Sequence, residues 1–339
     1  MTQVAGERKI KILFNQLNKL KVFVVGDAMI DNYWIGSIDR ISPEAPVPIL
    51  SVEKKDTRPG GAANVALNCK ALGADVSLLT VTGNDKNGND LCRLLKEKGI
   101  RTEHIIQSKD RITTTKTRII SKNQQIIRLD EETSEALSVK SEHHFIDTCL
   151  KAIQIEVPDI VIFEDYNKGV LKENVIEKII THCKHVGVLT AVDPKKHNFL
   201  CYRNVDIFKP NLKEIKEAFN ISLPSVNLRA LKSMHLQLNK KLEHQITMIT
   251  LSEHGIFIQQ NNDAMLYPAH IRAIADVSGA GDTVIAVASM IFAVSGDIHL
   301  MAQIANLAGG LVCEEVGVVP VNKQKLLRET ITMINGWNS

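Results

Sequence analysis

Residues 159–194, DIVIFEDYNKGVLKENVIEKIITHCKHVGVLTAVDP, decide the fold. DIVIFED (159–165) and VGVLTAVDP (186–194) are continuous apolar runs without the polar alternation of a half-exposed strand, as expected of strands buried on both faces. Between them, VIEKIITHC carries apolar residues at helical spacing. A strand, a helix and a second strand in this order build a parallel pair. Working outward, KVFVVGD (21–27), DVSLLTVTG (75–83), VDIFKP (205–210) and ITMITL (246–251) repeat the strand pattern. AANVALNCKALG, NDLCRLLKEKG and NLKEIKEAF repeat the helical one, the first two closing on a glycine. The rhythm predicts an α/β protein, a parallel sheet with helices on both sides.

Two regions break that rhythm. Residues 33–58 and 110–130, the latter containing RITTTKTRIISKNQQIIRLD, alternate like exposed strands, and Pro43, Pro46 and Pro48 suit edges and turns. They are expected to form a thin β-layer, a lid on one domain spanning 1–339. Ile35, Ile38, Ile119 and Ile126 give the lid more apolar surface than it can bury alone, which predicts a homodimer formed through it. At the start, ERKIKILFNQLNKLK places Ile10, Phe14 and Leu17 at helical spacing among lysines, predicting a docked surface helix rather than a secretory signal.

The 41 basic and 38 acidic residues are interspersed, and 4% of residues are aromatic, so no basic stripe or stacking platform for nucleic acid is present. No apolar run reaches the length of about 18 residues that a membrane span needs. The six cysteines, Cys69, Cys92, Cys149, Cys183, Cys201 and Cys313, are scattered without zinc spacing and fit a reducing, cytoplasmic setting.

Ligands of open parallel sheets sit beyond the carboxyl ends of the strands. The residues waiting there are Asp27 and Asp31, then Asp165 and Lys168, Asp193 and Lys195, Asn211 and Glu214, and Ser252 to Gly255. Each also has a plain reading as a loop or capping residue. Asn211 with Glu214 matches a capping box as well as a metal and phosphate site. The first strand is followed by GDAMID, with no G-x-G-x-x-G, and GNDKNGN (83–89) lacks the lysine and hydroxyl of a P-loop. That leaves IADVSGAGDTVIA (274–286), where Gly279 and Gly281 bare the N–H groups of a helix start and make an anion hole. Asp282 there either stabilises the helix dipole or accepts the proton of an alcohol undergoing phosphorylation.

DVSGAGDT (276–283) resembles the C-terminal signature of the ribokinase-like, PfkB-type carbohydrate kinases, D-T-x-G-A-G-D, and PGGAANVALNCKALG (59–73) resembles their sugar-binding signature. The two stand about 200 residues apart in the family's order. GDAMIDNYWIG, RISPEAPVPIL, TKTRIISKNQQIIRLD, EDYNKG and KPNLKE further resemble the D-glycero-D-manno-heptose-7-phosphate kinases of lipopolysaccharide-core precursor synthesis, and the likeness runs from Lys21 to about Pro320.

The resemblance implies a three-layer αβα sandwich with a mostly parallel sheet and a small β-sheet lid. It implies ATP-dependent phosphorylation of the anomeric hydroxyl of heptose 7-phosphate, with Asp282 as base and Gly279, Ala280 and Gly281 as the hole for the transferring phosphoryl group. Asp31, Gly60, Gly61 and Asn64 would bind sugar hydroxyls, and Lys116, Arg118, Gln125 and Asp165 would close the sugar site. Lys195, Asn211 and Glu214 would meet the nucleotide phosphates, Glu214 organising Mg²⁺ directly or through water, and Ser252, Gly255 and Asn306 would line the nucleoside pocket. A monovalent cation such as K⁺ is a further expected cofactor. Asn32, Glu164 and Lys196 depart from the family pattern, which bears on the sugar contacts. Some relatives carry a fused nucleotidyltransferase with an H-x-G-H motif, which this sequence lacks, so a separate nucleotidyltransferase is expected downstream. Two rival readings are a kinase of this fold for another sugar or nucleoside, and a catalytically silent sugar-binding regulator.

Overall fold

A computed structural model describes residues 3–122, 124–220, 226–270 and 272–336. In chain order the strands are β1 (Lys21–Gly26), β2 (Ala28–Ile41), β3 (Pro48–Gly61), β4 (Asp75–Gly83), β5 (Ile105–Ser108), β6 (Thr115–Ser121), β7 (Gln124–Glu131), β8 (Ile160–Glu164), β9 (Leu189–Asp193), β10 (Ile207–Phe208), β11 (Ile246–Thr250), β12 (Ile256–Gln260) and β13 (Asp263–Tyr267). A 9-stranded sheet has the order β13-β12-β11-β10-β9-β8-β1-β4-β5. It is parallel from β5 to β11, with β12 and β13 antiparallel at one edge. That edge hairpin, IFIQQNNDAMLY, is absent from the expectations above, as is the short strand β5.

Buried strands point alternate residues to opposite faces. Val22, Val24, Leu78, Ile160 and Ile162 pack with the helices Ala62–Ala71, Ala280–Ser295 and Ile298–Val312. Phe23, Val25, Leu79, Val161 and Phe163 pack with Val139–Glu156, Glu173–Val186 and Leu228–Leu242. The two cores and the sheet between them make the three layers. The first helix, Gln3–Gln16, buries Ile10 and Phe14 and lies beside the helix Lys323–Gly336.

Successive strands run outward from β1 in one direction through β4 and β5, then restart on its other side at β8. The crevice at this reversal is where open α/β sheets bind ligands. One buried carboxylate anchors a loop beside it. Asp27, buried just after β1, accepts hydrogen bonds from the backbone N–H of Tyr166 (2.9 Å), Lys168 (3.0 Å) and Val170 (3.1 Å), tying down the loop after β8.

The small sheet has the order β3-β2-β6-β7, with β2 and β6 parallel and the outer pairs antiparallel. It starts at Ala28 rather than at residue 33, because Ala28–Asp31 is still buried and polar alternation begins only beyond it. Asn123, within the expected lid, lies outside the described residues. The prolines fall in the β2–β3 connection and at the start of β3. The lid is latched to the body through the loop after the helix Ile298–Val312. The Tyr33 hydroxyl accepts from Val318 N (3.1 Å), and Arg58 donates to the carbonyls of Val316 (3.2 Å) and Val318 (3.0 Å).

Asp27→Ala leaves three amide donors without their acceptor. At about 1–3 kcal/mol for each buried group so orphaned, the variant should lose roughly 3 kcal/mol or more of stability. Urea unfolding measures this, and a loss below about 1 kcal/mol would overturn the role given to Asp27.

Candidate active site

The helix Ala280–Ser295 begins at Gly279, whose φ of +77° is left-handed and whose Cβ, if present, would sit 2.8 Å from Asn64 Nδ2. Glycine is required there on both counts. Asp276 shapes the preceding turn, accepting from Ser278 N (3.0 Å), Ser278 Oγ (2.8 Å) and Gly317 N (2.9 Å). The first N–H groups of any helix lack intrahelical acceptors, so this start is suited to an anion.

Asp282 lies in the first turn and is 4% exposed. Asn64 donates Nδ2 to its Oδ2 and the Tyr166 hydroxyl donates to its Oδ1, both at 2.7 Å. Burial pushes its carboxyl above the ordinary range, while the bonds from Asn64 and Tyr166 pull it back. Asn64, expected to grip a sugar hydroxyl, is therefore joined to the carboxylate itself.

Beside it, β8 and β9 end on Glu164 and Asp193, cross-strand neighbours in parallel register. Glu164 is fully buried, and neither carboxylate oxygen has a hydrogen-bond partner among the described residues. Burial, then Asp193 and Asp282, raise its carboxyl well above the ordinary value. Lys209, 2% exposed, pairs with Asp193 at 2.8 Å. Lys195 Nζ pairs with Glu214 Oε1 at 2.8 Å. Burial works against its charge, but Asp193, Glu214 and Glu164 outweigh that and raise its pKa.

Asn211 and Glu214 do form the capping box of the helix Leu212–Phe219: Asn211 Oδ1 accepts from Glu214 N and Glu214 Oε2 from Asn211 N, each at 2.8 Å. The same glutamate holds Lys195, so capping and charge placement coexist. Among the described residues no cluster of three or more His, Cys, Asp or Glu could hold a metal ion. With both Glu214 oxygens engaged, the residues present fit a Mg²⁺ that arrives with phosphate oxygens and reaches Glu214 through water.

On the lid side, Arg118 forms an ion pair with Asp31 and lies over the Tyr33 ring at 5.3 Å. Gly60 faces Asp31 so closely that a Cβ would collide with the carboxylate. Gly61 precedes Asn64's helix. Lys116 Nζ stands 5.8 Å from the Tyr166 ring centroid, and Lys195 Nζ 5.2 Å from it. Gln125 is exposed near the tip of β7, opposite Ile120, and is not part of this cluster. Asp165 is fully buried on the other face, its carboxylate accepting from Asn198 Nδ2 (2.9 Å) and Tyr202 OH (2.7 Å). Its geometry anchors the loop rather than facing the crevice. Ser252 and Gly255 flank the single turn after β11, where Gly255 lies against the carbonyl of Tyr267; Asn306 donates to Pro268 O at 2.8 Å.

Sequence reasoning missed Tyr166, Tyr33, Arg58 and Lys209. Tyr166 stands inside EDYNKG, next to a residue that was singled out, but a tyrosine after a strand carries no signal of its own.

The profile of the pfkB family carbohydrate kinases matches residues 19–325. The Bifunctional protein HldE of Sulfurimonas denitrificans is 38% identical over 304 residues, 89% of this chain and 62% of that protein. That of Methylobacillus flagellatus is 38% identical over 308 residues, 91% and 62%. The chain thus spans 62% of the length of these relatives. Among solved structures, phosphofructokinase-2 from Escherichia coli in complex with potassium superposes with a TM-score of 0.76 at 16% identity, covering 92% of this chain and 99% of that one. Arabidopsis thaliana ribokinase complexed with ribose and ATP gives 0.68 at 16%, covering 91% and 99%. These neighbours share the fold, a ribokinase-like α/β sandwich with a β lid. With the family profile running through both sheets and the Asp282 helix, the chain belongs to the pfkB family of carbohydrate kinases.

Proposed function

We propose that the protein transfers the γ-phosphoryl group of ATP to the anomeric hydroxyl of D-glycero-D-manno-heptose 7-phosphate, giving the 1,7-bisphosphate, a step toward ADP-heptose and lipopolysaccharide-core precursors. The observation that carries this is Asp282, a buried carboxylate held from two sides at a helix start. Family membership and the heptose-kinase motifs support the choice of acceptor.

In this reading the acceptor hydroxyl gives its proton to Asp282 as its oxygen attacks the γ-phosphorus, and the bridging P–O bond breaks with its electron pair passing to ADP. The N–H groups of Gly279 and Gly281 and the Lys195 ammonium balance charge on the moving phosphoryl group, the Ala280 N–H being engaged by Val277 O at 3.2 Å. Mg²⁺, when bound, neutralises phosphate charge, and Glu214 would hold it through water. Asp31, Gly60, Gly61, Lys116 and Arg118 face the sugar, and Ser252, Gly255 and Asn306 the nucleoside. A monovalent cation such as K⁺ belongs to the same proposal. The expected separate nucleotidyltransferase draws no support from the relatives, which are named bifunctional.

Asp282→Asn removes the proton acceptor at constant size, so kcat should fall by roughly 10²–10⁴ with ATP affinity little changed. Turnover within about threefold of wild type would sink the assignment. The base must be ionised to act. Because burial holds its carboxyl above the ordinary aspartate range, the acid limb of kcat/KM should lie above that of an exposed aspartate.

Lys116 and Arg118 share one face of β6 and supply fixed cations for the sugar's own phosphate. Heptose 7-phosphate should exceed free heptose, ribose and fructose in kcat/KM by at least ~10²-fold, since charge-assisted bonds contribute about 1.5–3 kcal/mol each. Lys116→Ala should narrow that gap by raising KM for the phosphosugar. If free sugars react equally well, a kinase for another sugar takes its place.

The lid supports a homodimer. Ile126, Ile127 and Leu129 on β7 are each about half exposed (46%, 52% and 48%), more apolar surface than a single thin sheet normally leaves to water. Sedimentation at micromolar concentration should show a dimer that Ile127→Glu dissociates. A wild-type monomer refutes it.

A further inference from the structure

Among the described residues Tyr166 is the aromatic side chain that hydrogen-bonds the carboxylate at the centre of the site. It follows Asp165 in the loop after β8, and its backbone N–H is fixed by Asp27 at 2.9 Å, so the backbone that carries the ring is anchored. Its hydroxyl donates to Asp282 Oδ1 at 2.7 Å, and the other carboxylate oxygen is held by Asn64 at the same distance. The two bonds come from different parts of the chain and fix both the rotamer and the plane of the carboxylate. Two ammonium groups also approach the ring: Lys116 on the lid, 5.8 Å from its centroid, and Lys195 at the nucleotide side, 5.2 Å away.

We propose that Tyr166 is a positioning residue for the base, its hydroxyl aiming Asp282 and favouring the ionised carboxylate while its ring ties the lid cation to the nucleotide-side cation. This rests on the reading of Asp282 as base. The phenol is suited to the task because it stays a donor: burial, then the neighbouring Asp282 and Glu164, hold its own pKa well above the usual tyrosine value. A donor to a carboxylate stabilises the charged form. The other groups facing Asp282 are Glu164 at the end of β8, Asp193 and Lys195 from β9 and the residues following it, and Asn64 from the helix Ala62–Ala71. Glu164 and Asp193 oppose the charge and Lys195 favours it, so the hydroxyl works against a carboxylate-rich background.

Tyr166→Phe isolates the hydroxyl, since it keeps the ring that both lysines approach. The direct readout is the titration of Asp282 by ¹³C-carboxyl NMR on protein labelled at aspartate, the resonance being assigned by its loss in Asp282→Asn. Loss of one charge-assisted bond should move the Asp282 pKa upward by about one unit. The acid limb of kcat/KM for heptose 7-phosphate should move the same way, and kcat should fall about tenfold or more with KM within about threefold. A thermal melt within a few degrees of wild type establishes that the variant is folded. An Asp282 titration that is unmoved in folded Tyr166→Phe overturns the proposal. Undiminished turnover in Asp282→Asn instead overturns the base assignment, and with it the ground for this role. If Asp282 titrates higher but the kinetics do not change, the hydroxyl tunes a group that does not limit catalysis, and the positioning role likewise falls.

Discussion

Everything in the crevice depends on how one buried charge is satisfied. Asp27 follows β1 at the point where the strand order reverses, and burial works to push its carboxyl up while three N–H groups of the loop after β8 pull it down. A carboxylate in that place demands donors, and the cheapest supply is a backbone wrapped around it. The wrapped loop is the one that presents Tyr166 to Asp282 and Lys168 to Glu132. The position of the phenol is therefore a by-product of solving a solvation problem at the neighbouring strand.

The same difficulty recurs along the carboxyl edge of the sheet. Glu164, Asp193 and Asp282 lie together with Lys195 and Lys209 in a region largely closed to water. Such clusters do little for stability, because desolvation offsets the attraction between the pairs. Lys209 answers Asp193 directly, but Glu164 is left with no hydrogen-bond partner among the described residues. A stability-driven design would have filled that space with apolar side chains. Keeping the unpartnered Glu164 beside a helix start makes sense for a site that receives a ligand.

Most of the architecture was legible because it is local. Buried parallel strands announce themselves as unbroken apolar runs, and the Gly279–Gly281 turn combines a left-handed backbone with a bare helix start. The weak or antiparallel edge escaped notice: β5 has four residues, and β12 and β13 pair across a short turn with mixed polarity. Within the site, the residues after strands could be nominated but not aimed. Asp165 and Glu164 are adjacent, yet strand pleating sends them to opposite faces, one to Tyr202 and the other toward Asp282. Asn64 and Asp282 meet across 218 residues, and no local pattern encodes such a contact. Asn211 and Glu214 show the converse, a pair whose local capping role and longer-range charge role are both present in one geometry.

The latch between lid and body has a consequence for the order in which the molecule is assembled. Tyr33 meets Val318 across 285 residues, and Arg58 meets Val316 across 258. On the ribosome, β2 and β3 emerge well before the loop that secures them and steadies Asp276 through Gly317. Contacts of such long range also carry a high loop-closure cost before they return any stabilisation. The lid of a nascent chain therefore waits, apolar face uncovered, until that loop is made. Its exposed isoleucines are a folding hazard for that interval, and the charged residues interleaved along β3 and β7 are of the kind that oppose edge-to-edge association.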